Sequence, residues 1–105
     1  MFEPPIRRPA AEVPTHPPVS FSLGALVATP SALQQIDNAS VLDGLRRHAR
    51  GDWGNICQED KDANDLALRE GTRLLSAYAA KDGTKFWIIT EADRSATTVL
   101  LPEDY

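Results

Sequence analysis

A two-layer α+β domain is the fold class that this sequence predicts, and three observations carry it. The apolar period is helical between Thr29 and Gly71 and switches to two beyond Gly71. The pair Asp82-Gly83 sits between two alternating runs, a strong local signal for a tight hairpin. Six of the eight prolines crowd into the first 19 residues, which leaves about 86 residues for one packed domain. The expected architecture is a three-stranded antiparallel meander, with an N-terminal strand as a candidate addition, packed against two to three short helices.

Residues 1–19 read as a Pro-rich, disordered tail, because proline removes backbone donors and biases the residue before it to extended conformations. In the stretch 19–28, Val19, Phe21 and Leu23 alternate with Ser20, Ser22 and Gly24, as an extended segment with one face to bury does. Thr29-Pro30 opens a short helix to about Ile36, with Leu33 and Ile36 as its buried face. Ser40 to Asp43 has capping-box spacing and starts a second helix that ends at Gly51, its apolar stripe being Val41, Leu42, Leu45 and Ala49. Gly51 to Asn55 is a turn from which Trp53 folds back to close the core.

A third helix begins near Ile56 or Glu59 and runs to Glu70, with Gly71 as its left-handed terminator and Ala63, Leu66, Ala67 and Leu68 as inward candidates. Three strands follow, over 73–79, 85–90 and 96–101. Lys81 to Thr84 supplies the first hairpin turn, Glu91 to Ser95 the second, and Pro102 ends the last strand.

Composition excludes whole function classes. With 11 basic and 15 acidic residues the net charge is −4, so the basic excess of a duplex-binding protein is missing. The small size leaves no room for a deep cofactor cavity. A single cysteine, Cys57, cannot form an internal disulfide, which favours the cytoplasm. No apolar run reaches the roughly 18 residues of a membrane span. No cofactor and no metal are expected. Asp60, Asp62 and Asn64 match the first three ligand positions of a calcium loop, but the position needing glycine is Asp65 and the position needing glutamate is Gly71. His16, His48 and Cys57 are too scattered for a zinc set.

Two sets of side chains remain that could carry function. His48 is the one side chain of the packed domain that titrates near neutrality unaided, and with Asp52 and Arg94 it forms the candidate catalytic set. Its place on the second helix is a boundary position, partly exposed and structurally satisfied. The binding candidates are Trp53, Phe86, Trp87, Asp93 and Arg94. In the strand 85–90, Phe86 and Ile88 share one face and Trp87 and Ile89 the other, so whichever aromatic faces away from the helices is the interface anchor. Asp93 and Arg94 form a local ion pair that braces their turn, or Arg94 presents its fork to a partner.

The stretch 23–105 resembles a group of small bacterial proteins labelled plasmid-related. The residues that carry the resemblance are Val27 to Pro30, Arg47-His48, Gly51 to Gly54, Glu59 to Lys61, Asn64-Asp65, Leu74 to Tyr78, Trp87 to Ser95, Thr97-Thr98 and Leu100 to Glu103. The resemblance implies a plasmid or integrative-element setting and a domain boundary, not a reaction. The leading expectation is therefore a non-enzymatic interaction protein of a bacterial mobile element that binds a protein partner, a host-defence or regulatory complex among the candidates. Its oligomeric state is open, and nucleic acid is disfavoured by charge. The alternative is a small nucleic-acid-processing or nucleotide-binding enzyme using His48, Asp52 and Arg94. Convergence of those three on one cleft favours the enzyme; dispersal, with a flat apolar face bearing Trp87, favours the binding module.

Overall fold

Gly83 adopts a φ of 90°, and around it Ala80 N–H donates to the Thr84 carbonyl at 2.8 Å, which closes the hairpin that Asp82-Gly83 predicts. This turn belongs to a computed structural model that describes residues 21–105, so the reading of 1–19 as a tail lies outside the described residues. The elements are β1 (Ala25–Ala28), α1 (Pro30–Gln35), α2 (Asn38–Ala49), α3 (Gln58–Glu70), β2 (Leu74–Ala79), β3 (Lys85–Thr90) and β4 (Ala96–Leu100), followed by one 3₁₀ turn over Pro102–Asp104.

Among the described residues the sheet has four strands in the order β1-β4-β3-β2. The antiparallel meander β2-β3-β4 forms as expected, with Leu74 opposite Thr90 and Ile88 opposite Val99. The N-terminal segment joins it as a true fourth strand, and it runs parallel to β4. The sheet is therefore mixed rather than a plain meander. Parallel strands need a long crossover, and the three helices between β1 and β2 provide it while covering one face. Of the described part of that stretch, residues 21–28, Ala25–Ala28 pairs as a strand, and Gly24 before it turns the chain at φ 65° hard against Ser95, where a Cβ would lie 2.4 Å from backbone atoms.

The helix starts and faces differ from expectation where side chains compete. Thr29 caps α1 by accepting from Ala32 N–H at 3.2 Å, with Pro30 in the first turn. The buried pair there is Ala32 and Ile36, while Leu33 is 63% exposed. The cap of α2 is Asp37, not Ser40: its carboxylate takes the Ser40 N–H at 3.0 Å and the Ser40 hydroxyl at 2.6 Å, so the helix begins three residues earlier. Gly44 lies under the Phe86 ring, where a Cβ would come within 2.9 Å, so that face of α2 turns inward and Leu42 turns outward. In α3 the inward residues are Asn64 and Ala67, with Leu68 half-buried; Ala63 and Leu66 are exposed. Gly71 ends α3 at φ 72°, its N–H on the Ala67 carbonyl.

Two apolar clusters fill the space between sheet and helices. One contains Ile36, Tyr78, Phe86, Ile88, Val99 and Leu101; the other contains Trp53, Ala67 and Leu74. On the sheet face that carries both clusters, buried Ser76, Thr90 and Thr97 interrupt the apolar side chains.

Gly54 and Gly71 test how much close approach adds to a positive φ. At Gly54, φ is 77° and a Cβ would lie 2.1 Å from the Ala77 carbonyl oxygen; at Gly71 nothing lies within 4 Å. Urea unfolding should find Gly54→Ala destabilised by about 2–4 kcal/mol and Gly71→Ala by only about 1 kcal/mol.

Candidate functional site

His48 has no exposed surface. It is not the half-exposed boundary residue that its helix position suggests. Helix α2 delivers it onto the sheet, where Ser76 Oγ lies 2.5 Å from Nδ1 and Thr90 Oγ1 lies 2.8 Å from Nε2. Thr90 Oγ1 is 2.7 Å from Thr97 Oγ1, which donates to the Leu23 carbonyl at 2.7 Å.

A carbonyl oxygen only accepts, so the single Thr97 proton is committed to Leu23. Thr90 must then donate to Thr97, and His48 Nε2–H must donate to Thr90. Proton counting thus fixes a proton on Nε2, and in the neutral ring that burial favours Nδ1 accepts from the Ser76 hydroxyl. Phe21 and Trp53 pack edge-on against the ring, at centroid separations of 5.4 and 5.6 Å. Burial, with the charge of Arg94 adding to it, lowers the His48 pKa to about 4.

The other members of the catalytic set are engaged elsewhere. Asp52 accepts from Arg47 Nε at 2.8 Å and NH2 at 3.2 Å, and this pairing holds its carboxyl below the usual range and raises the Arg47 pKa. The same pair anchors the Gly51–Asn55 turn, since the Tyr78 hydroxyl donates to the Asp52 carbonyl at 2.6 Å and Arg47 lies 4.8 Å over the Tyr78 ring. Burial pushes the Tyr78 phenol up in pKa. Arg94, at φ 62°, donates to the carbonyls of Thr72, Glu91, Ala92 and Ala67, clamping the end of α3 to the β3–β4 turn. It forms no ion pair with Asp93, whose carboxylate takes the Ser95 N–H instead at 3.0 Å. A cleft of about 210 Å³ between α2 and the β2–β3 hairpin is lined by Asp43, Arg47, Tyr78 and Lys81 among others and contains none of His48, Asp52 and Arg94.

The candidate metal residues separate too. Asp60, Asp62 and Asn64 lie within a continuous helix, and Cys57 is exposed while His48 is sealed. Among the described residues no three His, Cys, Asp or Glu side chains cluster as a metal site, and no helix is long and apolar enough to cross a membrane.

Of the binding candidates, Phe86 is 1% and Trp53 3% exposed, both taken up by core packing, with Trp53 Nε1 donating to Asp65 at 2.9 Å. Trp87 points the other way. It shares the far face of the sheet with Leu75, Ala77, Ile89, Thr98 and Leu100, opposite the face that carries both core clusters. Tyr105 meets Trp87 edge-on at 5.6 Å, and Arg73 reaches the same tyrosine, its guanidinium 5.4 Å over the ring and donating to the hydroxyl at 2.8 Å. Lys85 adds a second cation at the hairpin end of this face. Tyr105 and Arg73 are the members that sequence reasoning missed. The 3₁₀ turn after Pro102 brings Tyr105 back, held by Asp104, which accepts from Leu101 N–H and from the Thr29 and Ser31 hydroxyls.

Comparison with protein-family models, curated proteins and solved structures found no match.

The neutral His48 makes a defined pH prediction. Its folded pKa of about 4 lies below its unfolded value of about 6.5, so between those values the unfolded chain binds the extra proton and stability falls as pH falls. Urea midpoints taken from pH 7 to pH 4 should decline by the equivalent of roughly 3 kcal/mol from this residue. The loss precedes that from Asp52, whose lowered carboxyl gives up stability only as pH falls below about 3.8. Nitrogen shifts of His48 should report Nε2–H at pH 6.

Proposed function

We propose that the protein is a non-enzymatic binding module that docks a protein partner on the sheet face bearing Trp87, in the service of a bacterial mobile element. The single observation behind this reading is the half-buried Trp87, flanked by Tyr105 and Arg73 on the face opposite the core clusters. Trp, Tyr and Arg are the side chains that dominate binding energy at protein interfaces. Tyr105, 68% exposed, offers further aromatic surface beside the indole.

The charge pattern adds to the reading. Arg73 and Lys85 flank the apolar strip although the chain as a whole carries −4. The suited partner therefore presents an apolar patch with an acidic rim, such as a regulatory or host-defence protein. The commitment of His48, Asp52 and Arg94 to separate internal partners supports a binding role over the enzyme alternative.

Affinity capture from the native host with the full chain as bait, followed by binding measurements on the purified partner, tests this. Trp87→Ala should weaken binding at least about 30-fold, as a hot spot worth ~2 kcal/mol or more does, with its unfolding transition retained. Capture that ignores Trp87→Ala, or turnover of RNA or nucleotide that is lost in His48→Gln, would overturn the proposal.

A further inference from the structure

The two edges of the sheet are finished differently. Along β2, Asn64 Nδ2 donates to the Leu75 carbonyl at 2.7 Å and Asn64 Oδ1 accepts the Leu75 N–H at 3.3 Å. Two residues on, Asn55 N–H donates to the Ala77 carbonyl at 2.7 Å and Ala77 N–H to the Trp53 carbonyl at 3.2 Å. Both outward peptide groups there are occupied.

Along β1 the corresponding groups are open. Ala25 N–H and Thr29 N–H bond β4, at Ser95 and Val99, each at 3.0 Å. By the alternation of a parallel ladder, the N–H and C=O groups of Leu26 and Ala28 point away from the sheet. They have no hydrogen-bond partner among the described residues. The side chains are apolar and solvated, Leu26 at 60% and Val27 at 48% exposure. An edge of this kind is a template for another strand.

We propose that this edge binds a second copy of the chain, β1 against β1 in antiparallel register about a twofold axis through Val27. In that register Leu26 exchanges both of its bonds with Ala28 of the partner copy, and Ala28 does so with the partner copy's Leu26, so four outward groups on each side find partners at once. Val27 faces its own copy across the axis. The charge distribution suits a self-contact here. Residues 21–36 contain no Asp, Glu, Lys or Arg, so two chains that each carry −4 meet along this strip without opposing like charges. Residues 26–33 also contribute three of the six large exposed hydrophobic side chains among the described residues, Leu26, Val27 and Leu33. The product is a continuous eight-stranded sheet with closed symmetry. It places both Trp87 faces on the same side, yet it does not depend on Trp87 binding anything.

The contact is small, so the dimer should be weak and concentration-dependent. Sedimentation equilibrium of the full chain from about 10 to 500 µM tests it. The wild type should shift from monomer to dimer. Val27→Lys and Val27→Glu should each weaken association at least tenfold, since like charges then oppose one another across the axis. An equimolar mixture of the two should restore a dimer of mixed composition, a rescue that misfolded variants could not give. Trp87→Ala should leave the equilibrium unchanged. A wild type that stays monomeric at 500 µM, single variants that associate normally, a mixture without rescue, or a dimer lost in Trp87→Ala would each overturn the proposal, the first and the last pointing to a foreign strand on β1 and to stacking of the far faces respectively.

Discussion

A carbonyl oxygen cannot give up a proton, and the carbonyl of Leu23 imposes that limit on the interior of this domain. It is the terminal acceptor of a chain that passes through Thr97, Thr90 and His48 to Ser76. The links from His48 Nε2 to Leu23 have one sense only, and with the buried ring neutral four polar side chains are satisfied without a net charge. The chain binds α2, β2, β3 and β4 to the segment that leads into β1, and it interrupts the apolar side chains of the covered sheet face. A half-made chain would strand a hydroxyl or an imidazole nitrogen in a dry interior, at a cost of about 1–3 kcal/mol per group.

The same economy governs the rest of the polar inventory. Arg94 spends its guanidinium on backbone carbonyls, Asp52 spends its carboxylate on Arg47, and Asn64 spends its amide on the peptide of Leu75. These are the residue types from which catalytic sites are made, and here they finish turns, helix ends and a sheet edge. Trp87 carries the opposite message. It lies opposite the face that holds the core clusters, with Tyr105 edge-on to its indole and Arg73 bonded to that tyrosine.

Legibility in the sequence followed the range of the interactions. The turn at Gly83, the terminator at Gly71 and strands β2 to β4 are set by neighbours a few residues away, and their positions follow from local patterns alone. The start of α2 was displaced because Asp37 and Ser40 are both competent caps and only the folded geometry selects between them. His48 reads as a boundary residue on its own helix, because its hydrogen-bond partners lie 28 and 42 positions further on. Leu33 and Leu42 face solvent since Ala32 and Gly44 occupy the close-packed positions, a choice made by the sheet beneath them. On β3 the alternation separated Phe86 from Trp87 correctly, but which of them would face the helices was a tertiary fact. Tyr105 and Arg73 had no local signal, being joined only when the chain returns after Pro102.

The pairing of β1 with β4 also has a consequence for the order in which the molecule is made. Leu23 and Thr97 stand 74 positions apart, and β4 is the last strand in the chain. Ribosomes add about 5–20 residues per second, so the uncharged segment around Leu26 and Val27 waits roughly 4–15 s before its own partner strand exists. Through that interval it is an apolar strand with both edges free, the state most open to capture by a chaperone or by another nascent chain. Pro30, immediately beyond Thr29, limits how far such mispairing can spread, because proline offers no N–H to extend a ladder.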